Sequence, residues 1–318
     1  MEQTHSPIEP ASIRGVPEIV AFALLMISAL VLLYGIQGNA QEVNLHGRSA
    51  IVWMAKRWSG SGGDLSHGWI IPLVSAYVLW RKRHAFFAAR KYVFPAGMLV
   101  VIGALAMHWL GYRTQLTRAS LLSMIVLIWG IPLTLYGREI GKLLIFPCSY
   151  LIFCIPLSFI DSVTVPLRIF ASSMSTSLLN GLGIAAMQSG TAIYSTAGGG
   201  FNFDVADACS GLRSILAMTA LTAVYAYLTQ EGMFRKWILF LCAVPLAIVG
   251  NIARIVTIAI VAVSVGAEAA MKVYHDFSAF IVFPIAILLM VAIGNLLDSK
   301  KGRYLFQWQQ NDPAATQR

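Results

Sequence analysis

Charge is scarce in this sequence. Of its 318 residues 12% are Asp, Glu, Lys or Arg and 58% are hydrophobic, whereas a soluble domain averages about 25% charged. That excludes an ordinary water-soluble domain. With a mean hydropathy of +0.71, the chain reads as an integral membrane protein. Negative charge is the scarcer sign: 14 acidic residues face 23 basic ones, a net charge of +9. Nucleic acid is not the implied partner, because the basic residues cluster in short loops between apolar runs, where they act as topology signals.

Cysteine is equally sparse. The four present (Cys148, Cys154, Cys209 and Cys242) show no CxxC or other metal-ligand spacing, so neither a disulfide framework nor a cysteine metal site is indicated. No HExxH stretch exists, which excludes the helical zinc-protease motif. A GxSG stretch is missing too, and the Ser-rich "ASSMSTS" offers no facing histidine within a span. No ligand cluster suggests a metal or any cofactor. The polar N-terminus and the first apolar run, Ile19 to Ile36, lack a cleavage site, so no cleavable leader is expected. Internal repeats and low-complexity tracts are absent as well. We expect one integral membrane domain over 1–298 and a polar cytoplasmic tail over 299–318.

What is present is a series of apolar runs near the ~20 residues that cross a bilayer. Eight are expected, over about 19–36, 66–81, 92–111, 118–136, 141–160, 210–229, 237–265 and 277–297. Loop charge orients them. Five Lys or Arg lie in "RKRHAFFAARK" (81–91), Arg138 and Lys142 lie where span four ends and span five begins, Arg235 and Lys236 precede span seven, and Lys300, Lys301 and Arg303 follow span eight. An eight-span count puts all four clusters in the cytoplasm, with both termini. The expected fold is an all-α polytopic membrane protein.

Two segments then fall outside, about 37–65 and 161–209. In the second, residues 162–186 have the Ser-rich amphipathicity of a helix lying in the interface; read instead as a ninth span, they would invert everything downstream. Beyond it, in "TAIYSTAGGGFNFDVADA", Phe201, Phe203 and Val205 alternate with Asn202, Asp204 and Ala206 around a Gly198–Gly200 turn. That period of two predicts a short β-hairpin just before span six.

Three polar residues share the outer level of consecutive spans. Cys209 opens span six, where the positive end of a helix favours a thiolate. Arg213, four residues on, shares its helix face. The plainer alternative is a packing Cys beside an Arg that snorkels to the interface. Arg254 stands in "VGNIARIVTIAIVAV" with Asn251 one turn before it. Eighteen residues beyond Lys236, at about 1.5 Å each, put it roughly 27 Å along the span, near the far side of a core about 30 Å thick. An Arg within a span costs at least about 2.5 kcal/mol unless it faces a partner or a wet cavity, which makes it a functional candidate; snorkelling is again the alternative. His275 lies just outside span eight with Asp276 beside it, and a histidine exchanges protons near neutral pH. A Cys–His pair with a nearby cation is the layout of a thiol nucleophile, a proton shuttle and an oxyanion stabiliser. Cys148, Cys154 and Cys242 lack titratable neighbours and read as packing residues.

At these residues the sequence resembles the exosortase/archaeosortase family of membrane-embedded cysteine transpeptidases. "ACSGLRS" (Ala208 to Ser214) resembles the nucleophile motif and "NIARI" (Asn251 to Ile255) the motif with the active-site arginine. "HDF" (His275 to Phe277) matches the third catalytic position, and "SHGWIIPLVSAYVLWRKR" (Ser66 to Arg83) resembles an N-terminal motif of bacterial exosortases. The resemblance covers about residues 19–297. It implies a bacterial inner-membrane enzyme with Cys209, Arg254 and His275 as catalytic residues and its site facing the periplasm. Its partner would be a C-terminal sorting signal (a Pro-Glu-Pro motif, a membrane helix and a basic tail) on exported proteins of exopolysaccharide producers. Arg213, Asn251, His67 and Asp276 would bind substrate or support the site; for His67, helix capping or packing is an equal alternative. The rival reading is a non-enzymatic polytopic component of an exopolysaccharide or protein export system, in which Cys209 would be dispensable. Membrane lipids surround the chain in either case, and the sequence leaves its oligomeric state open.

Overall fold

The computed structural model describes residues 15–40, 47–59, 66–156, 159–196, 201–204, 211–266 and 284–297. The chain forms two compact units. One comprises Met1–Gly63 and Gly68–Ile155, the other Asp64–His67 and Pro156–Arg318.

The first unit is helical. α1 (Gly15–Leu30) runs on into a π-helical turn, Val31–Gln37, and α2 (Ala50–Ser59) follows. α3 (Ile70–Arg81), α4 (Arg83–Ala88), α5 (Gly97–Arg113) and α6 (Thr117–Tyr150) complete it, with a short 3-10 turn at Leu151–Cys154. α2 is a helix within the outer segment that the sequence reading left without structure. Side chains such as Leu24, Leu25, Leu73, Leu99 and Trp109 stand exposed on these helices, an outer surface suited to lipid tails rather than to water.

α5 and α6 pack closely because glycines face side chains across the pair. A Cβ on Gly97 would lie 2.7 Å from the Thr134 hydroxyl, and one on Gly111 2.9 Å from that of Ser120. Small residues let membrane helices approach in this way. Several buried polar groups of this unit are paired across helices. Tyr34 and Ser123 share a hydrogen bond of 2.8 Å, and the Asn39 amide donates to the Gly111 carbonyl at 2.6 Å and to Ser120 at 3.0 Å. Ser75 donates to the Pro147 carbonyl at 2.6 Å.

α6 is two helices in one continuous segment. Gly137 has φ 89° and ψ −179°, a left-handed-side conformation that favours glycine. The Trp129 indole donates to the Gly141 carbonyl at 2.9 Å. Twelve residues of straight helix would separate those positions by about 18 Å, so the chain doubles back at Gly137. The two arms correspond to the expected spans four and five.

The second unit holds α7 (Phe159–Gly181), a three-stranded sheet, α8 (Gly211–Thr229), α9 (Met233–Leu241), α10 (Ala243–Val265) and α11 (Pro284–Leu297). α7 is the expected amphipathic helix, but it ends at Gly181 rather than 186. The strands are β1 (Ala186–Ser189), β2 (Ala192–Ser195) and β3 (Asn202–Asp204), antiparallel in the order β1-β2-β3. β2 and β3 form the expected hairpin, with Ile193 opposite Phe203. β1 is the addition: it turns into β2 through Gly190, whose φ is 61°. The expected single span seven is interrupted at Cys242, between α9 and α10.

Among the described residues three stretches are long and apolar enough to cross a membrane: Val20–Gln37, Thr117–Cys154 and Met233–Val265. Gly97–Arg113, Ile215–Thr229 and Pro284–Leu297 are shorter apolar helices. The chain is a multi-pass, mainly helical membrane protein.

Candidate active site in the second unit

The second unit is built around one stripe of α10. Ala247, Asn251, Arg254, Ile255, Ile258, Ala259 and Ala262 are all buried, which is the i, i+3/i+4 repeat of a single helix face. The lower half of that stripe, Ile255 to Ala262, forms an apolar cluster with Leu179 of α7 and with Ala186, Ile193 and Phe201 of the sheet region. The sheet region thus shares one apolar cluster with α7 and with the part of α10 that begins at Ile255.

Arg254 itself is only 9% exposed and Asn251 5%. Both are thus drawn into the unit, one helical turn apart. Asn251 Oδ1 is buried without a hydrogen-bond partner among the described residues. A desolvated amide oxygen of this kind is costly unless a donor reaches it.

α7 adds a polar face that the sequence reading passed over. Arg168, Ser172, Ser175 and Leu179 recur at helical spacing; Ser172, Ser175 and Leu179 are buried. Ser172 donates to the Thr191 carbonyl at 3.2 Å, tying the helix to the β1–β2 turn. The signal was the i, i+4, i+7 spacing within what looked like a uniformly Ser-rich helix. Asn180, in the last turn, was also missed: its side chain brackets the backbone of Ala186, donating to the carbonyl at 3.0 Å and accepting from the N–H at 2.9 Å.

The other sequence candidates distribute as follows. Arg213 lies in the first turn of α8, which begins at Gly211. His67 is half-buried in the 3-10 turn Ser66–Trp69 and belongs to the second unit, with Arg254. Cys209, His275 and Asp276 lie outside the described residues. The next residues of the His67 motif have a packing role in the first unit. Trp69 meets Trp58 edge-on at 4.9 Å, and a side chain on Gly68 would collide with the Trp58 indole. Cys148 and Cys154 are buried free thiols and Cys242 a half-buried one.

A mainly helical multi-pass membrane protein whose second unit buries an arginine, Arg254, is the class these observations define. Residues 53–292 match the transmembrane exosortase family, and the chain belongs to that family. The match spans both units and takes in the His67, Arg254 and His275 motifs. No curated protein and no solved structure matches the chain.

Proposed function

We propose that the protein is a cysteine peptidase and transpeptidase that cleaves Pro-Glu-Pro C-terminal sorting signals at the periplasmic face of the bacterial inner membrane. The reading includes eight spans and cytoplasmic termini. The observation that carries it, beside family membership, is the burial of Arg254 with Asn251 on the α10 stripe. A cation retained there against a cost of at least about 2.5 kcal/mol is suited to stabilising negative charge that develops during a reaction.

In this mechanism the Cys209 thiolate adds to the carbonyl carbon of a peptide bond beside the motif. Arg254 stabilises the oxyanion. The intermediate collapses with cleavage of the C–N bond. His275, oriented by Asp276, gives its proton to the departing amine, and the upstream protein remains as a thioester on Sγ. Water or an acceptor amine then attacks the thioester, passes a proton to His275 and regenerates the thiolate; water gives hydrolysis and an amine gives transfer. Arg213 pairs with the acidic residue of the motif, and Asn251 and His67 support the site.

The test replaces Cys209 with Ala and, separately, Ser in the native host and follows a protein bearing such a signal by blotting. Loss of processing at normal membrane levels of the variants supports the thiol mechanism. Unchanged processing in Cys209→Ala overturns it and favours the non-enzymatic export component.

A further inference from the structure

The geometry points to β3 as the docking edge for the substrate polypeptide: the stretch to be cleaved adds to the sheet as a fourth, extended strand. This rests on the peptidase reading above.

A peptide carbonyl inside a helix is engaged by an N–H four residues on, so the cleaved stretch must be extended for a thiolate to reach it. Near a bilayer an extended chain leaves backbone N–H and C=O groups that must find protein partners. A sheet edge supplies them in register, as in β-strand addition.

The sheet has two edges, and they differ. On the inner side the Thr196 N–H donates to the Ala185 carbonyl at 3.0 Å, and on the other the Ser195 N–H donates to that of Phe201 at 2.8 Å. Antiparallel alternation then turns the backbone groups of Ala186 outward from β1 and those of Asn202 and Asp204 outward from β3. At Ala186 both outward groups are taken by the Asn180 side chain. Beside it, Gln188 donates to the Ile169 carbonyl at 3.2 Å. α7 has thus taken up the outward backbone groups of β1 at Ala186. No strand among the described residues pairs with the outer edge of β3, and Asn202 is exposed.

The open edge is also the one that leads to the nucleophile. Asp204 precedes Cys209 by five residues, a reach of at most about 18 Å. Ala186, Ile193 and Phe201 of the sheet region share an apolar cluster with α10 residues from Ile255 onward.

Asn202→Pro removes the outward N–H at a position where a strand tolerates proline, because that N–H serves no ladder bond. Asn202→Ala keeps it. The full-length protein is expressed with a reporter ending in a Pro-Glu-Pro motif, an apolar helix and a basic tail, beside Cys209→Ala. Asn202→Pro should process the reporter at least roughly tenfold less than Asn202→Ala at equal membrane levels, the scale of one lost hydrogen bond. In Cys209→Ala, an added Asn202→Cys should form disulfides with single cysteines in the reporter motif at alternate positions, the period of a paired strand. Equal processing by the two Asn202 variants, or cross-linking without that period, overturns the docking edge. Should Asn202→Pro fail to accumulate, the cross-linking pattern decides alone. Continued processing by Cys209→Ala overturns the peptidase reading instead, whatever Asn202 does.

Discussion

Asn180 imitates a neighbouring strand for Ala186: one side-chain amide accepts from the Ala186 N–H at 2.9 Å and donates to its carbonyl at 3.0 Å. The pair joins the last turn of α7 to the first residue of β1 and satisfies an edge that would otherwise be bare. Asn180→Ala should lower stability by about 1 kcal/mol, the worth of a partly exposed hydrogen-bonded pair. Asn180→Asp should lower it further at neutral pH, because a carboxylate oxygen then opposes the carbonyl. Thermal unfolding of the detergent-purified protein checks the order; an Asp variant as stable as the natural protein would contradict it.

Arg254 should be needed for processing and not merely for charge. Arg254→Ala should reduce processing by about 10²–10³-fold, the usual loss for a group that stabilises an oxyanion. Arg254→Lys keeps the charge but not the planar fork of donors and should recover only part of the activity. Blotting for the processed reporter, normalised to membrane levels, reads both. Full activity in Arg254→Ala would remove it from the mechanism.

Two glycines should respond oppositely to alanine. At Gly137, with φ 89°, a Cβ would sit 2.7 Å from the Tyr92 ring, so Gly137→Ala combines backbone strain with a clash and should cost at least about 1–3 kcal/mol. At Gly103, inside α5, a Cβ meets nothing within 4 Å, and Gly103→Ala should leave stability equal or raise it by up to about 1 kcal/mol. Melting midpoints of the two variants test the hairpin turn directly.

Gly68→Ala should destabilise the first unit through the Trp58 indole. Trp58 also donates to the Cys154 carbonyl at 2.8 Å, so pushing the ring aside breaks that bond as well. A double-mutant cycle with Trp58→Phe should be non-additive, the pair costing less than the sum of the single changes by about 0.5–3 kcal/mol, as expected for side chains in contact. Additive effects would mean that the two residues do not meet.

Much of the architecture could be read along the chain. The helical arms on either side of Gly137, the amphipathic α7 and the β2–β3 hairpin all follow from local periodicity. Phe201 is buried and Asn202 exposed, as their alternation required. Arg254 and Asn251 were legible as a polar pair on one helix face, since three-residue spacing in a helix leaves little choice. β1 was not legible: "AMQS" is short, follows a helix directly and has no alternation strong enough to oppose helical continuation. Asn180 was hidden for the same reason, because a polar residue in a last helical turn is ordinary until the strand it serves is known.

The amino-acid sequence by itself determined the solvent this protein lives in, the helical segments and the polar residues that those segments cannot avoid carrying. Hydropathy and periodicity are sums over neighbours in the chain, so they need no knowledge of the fold. Only the tertiary structure decided that the α10 stripe bearing Arg254 is buried in the second unit. It also decided that α7 caps one edge of the sheet at Ala186, while β3 has no strand on its outer edge among the described residues. Those outcomes depend on an apolar cluster drawn from residues far apart in sequence, Leu179, Ile193 and Ile258 among them, and burial in such a cluster is fixed by packing and not by local preference.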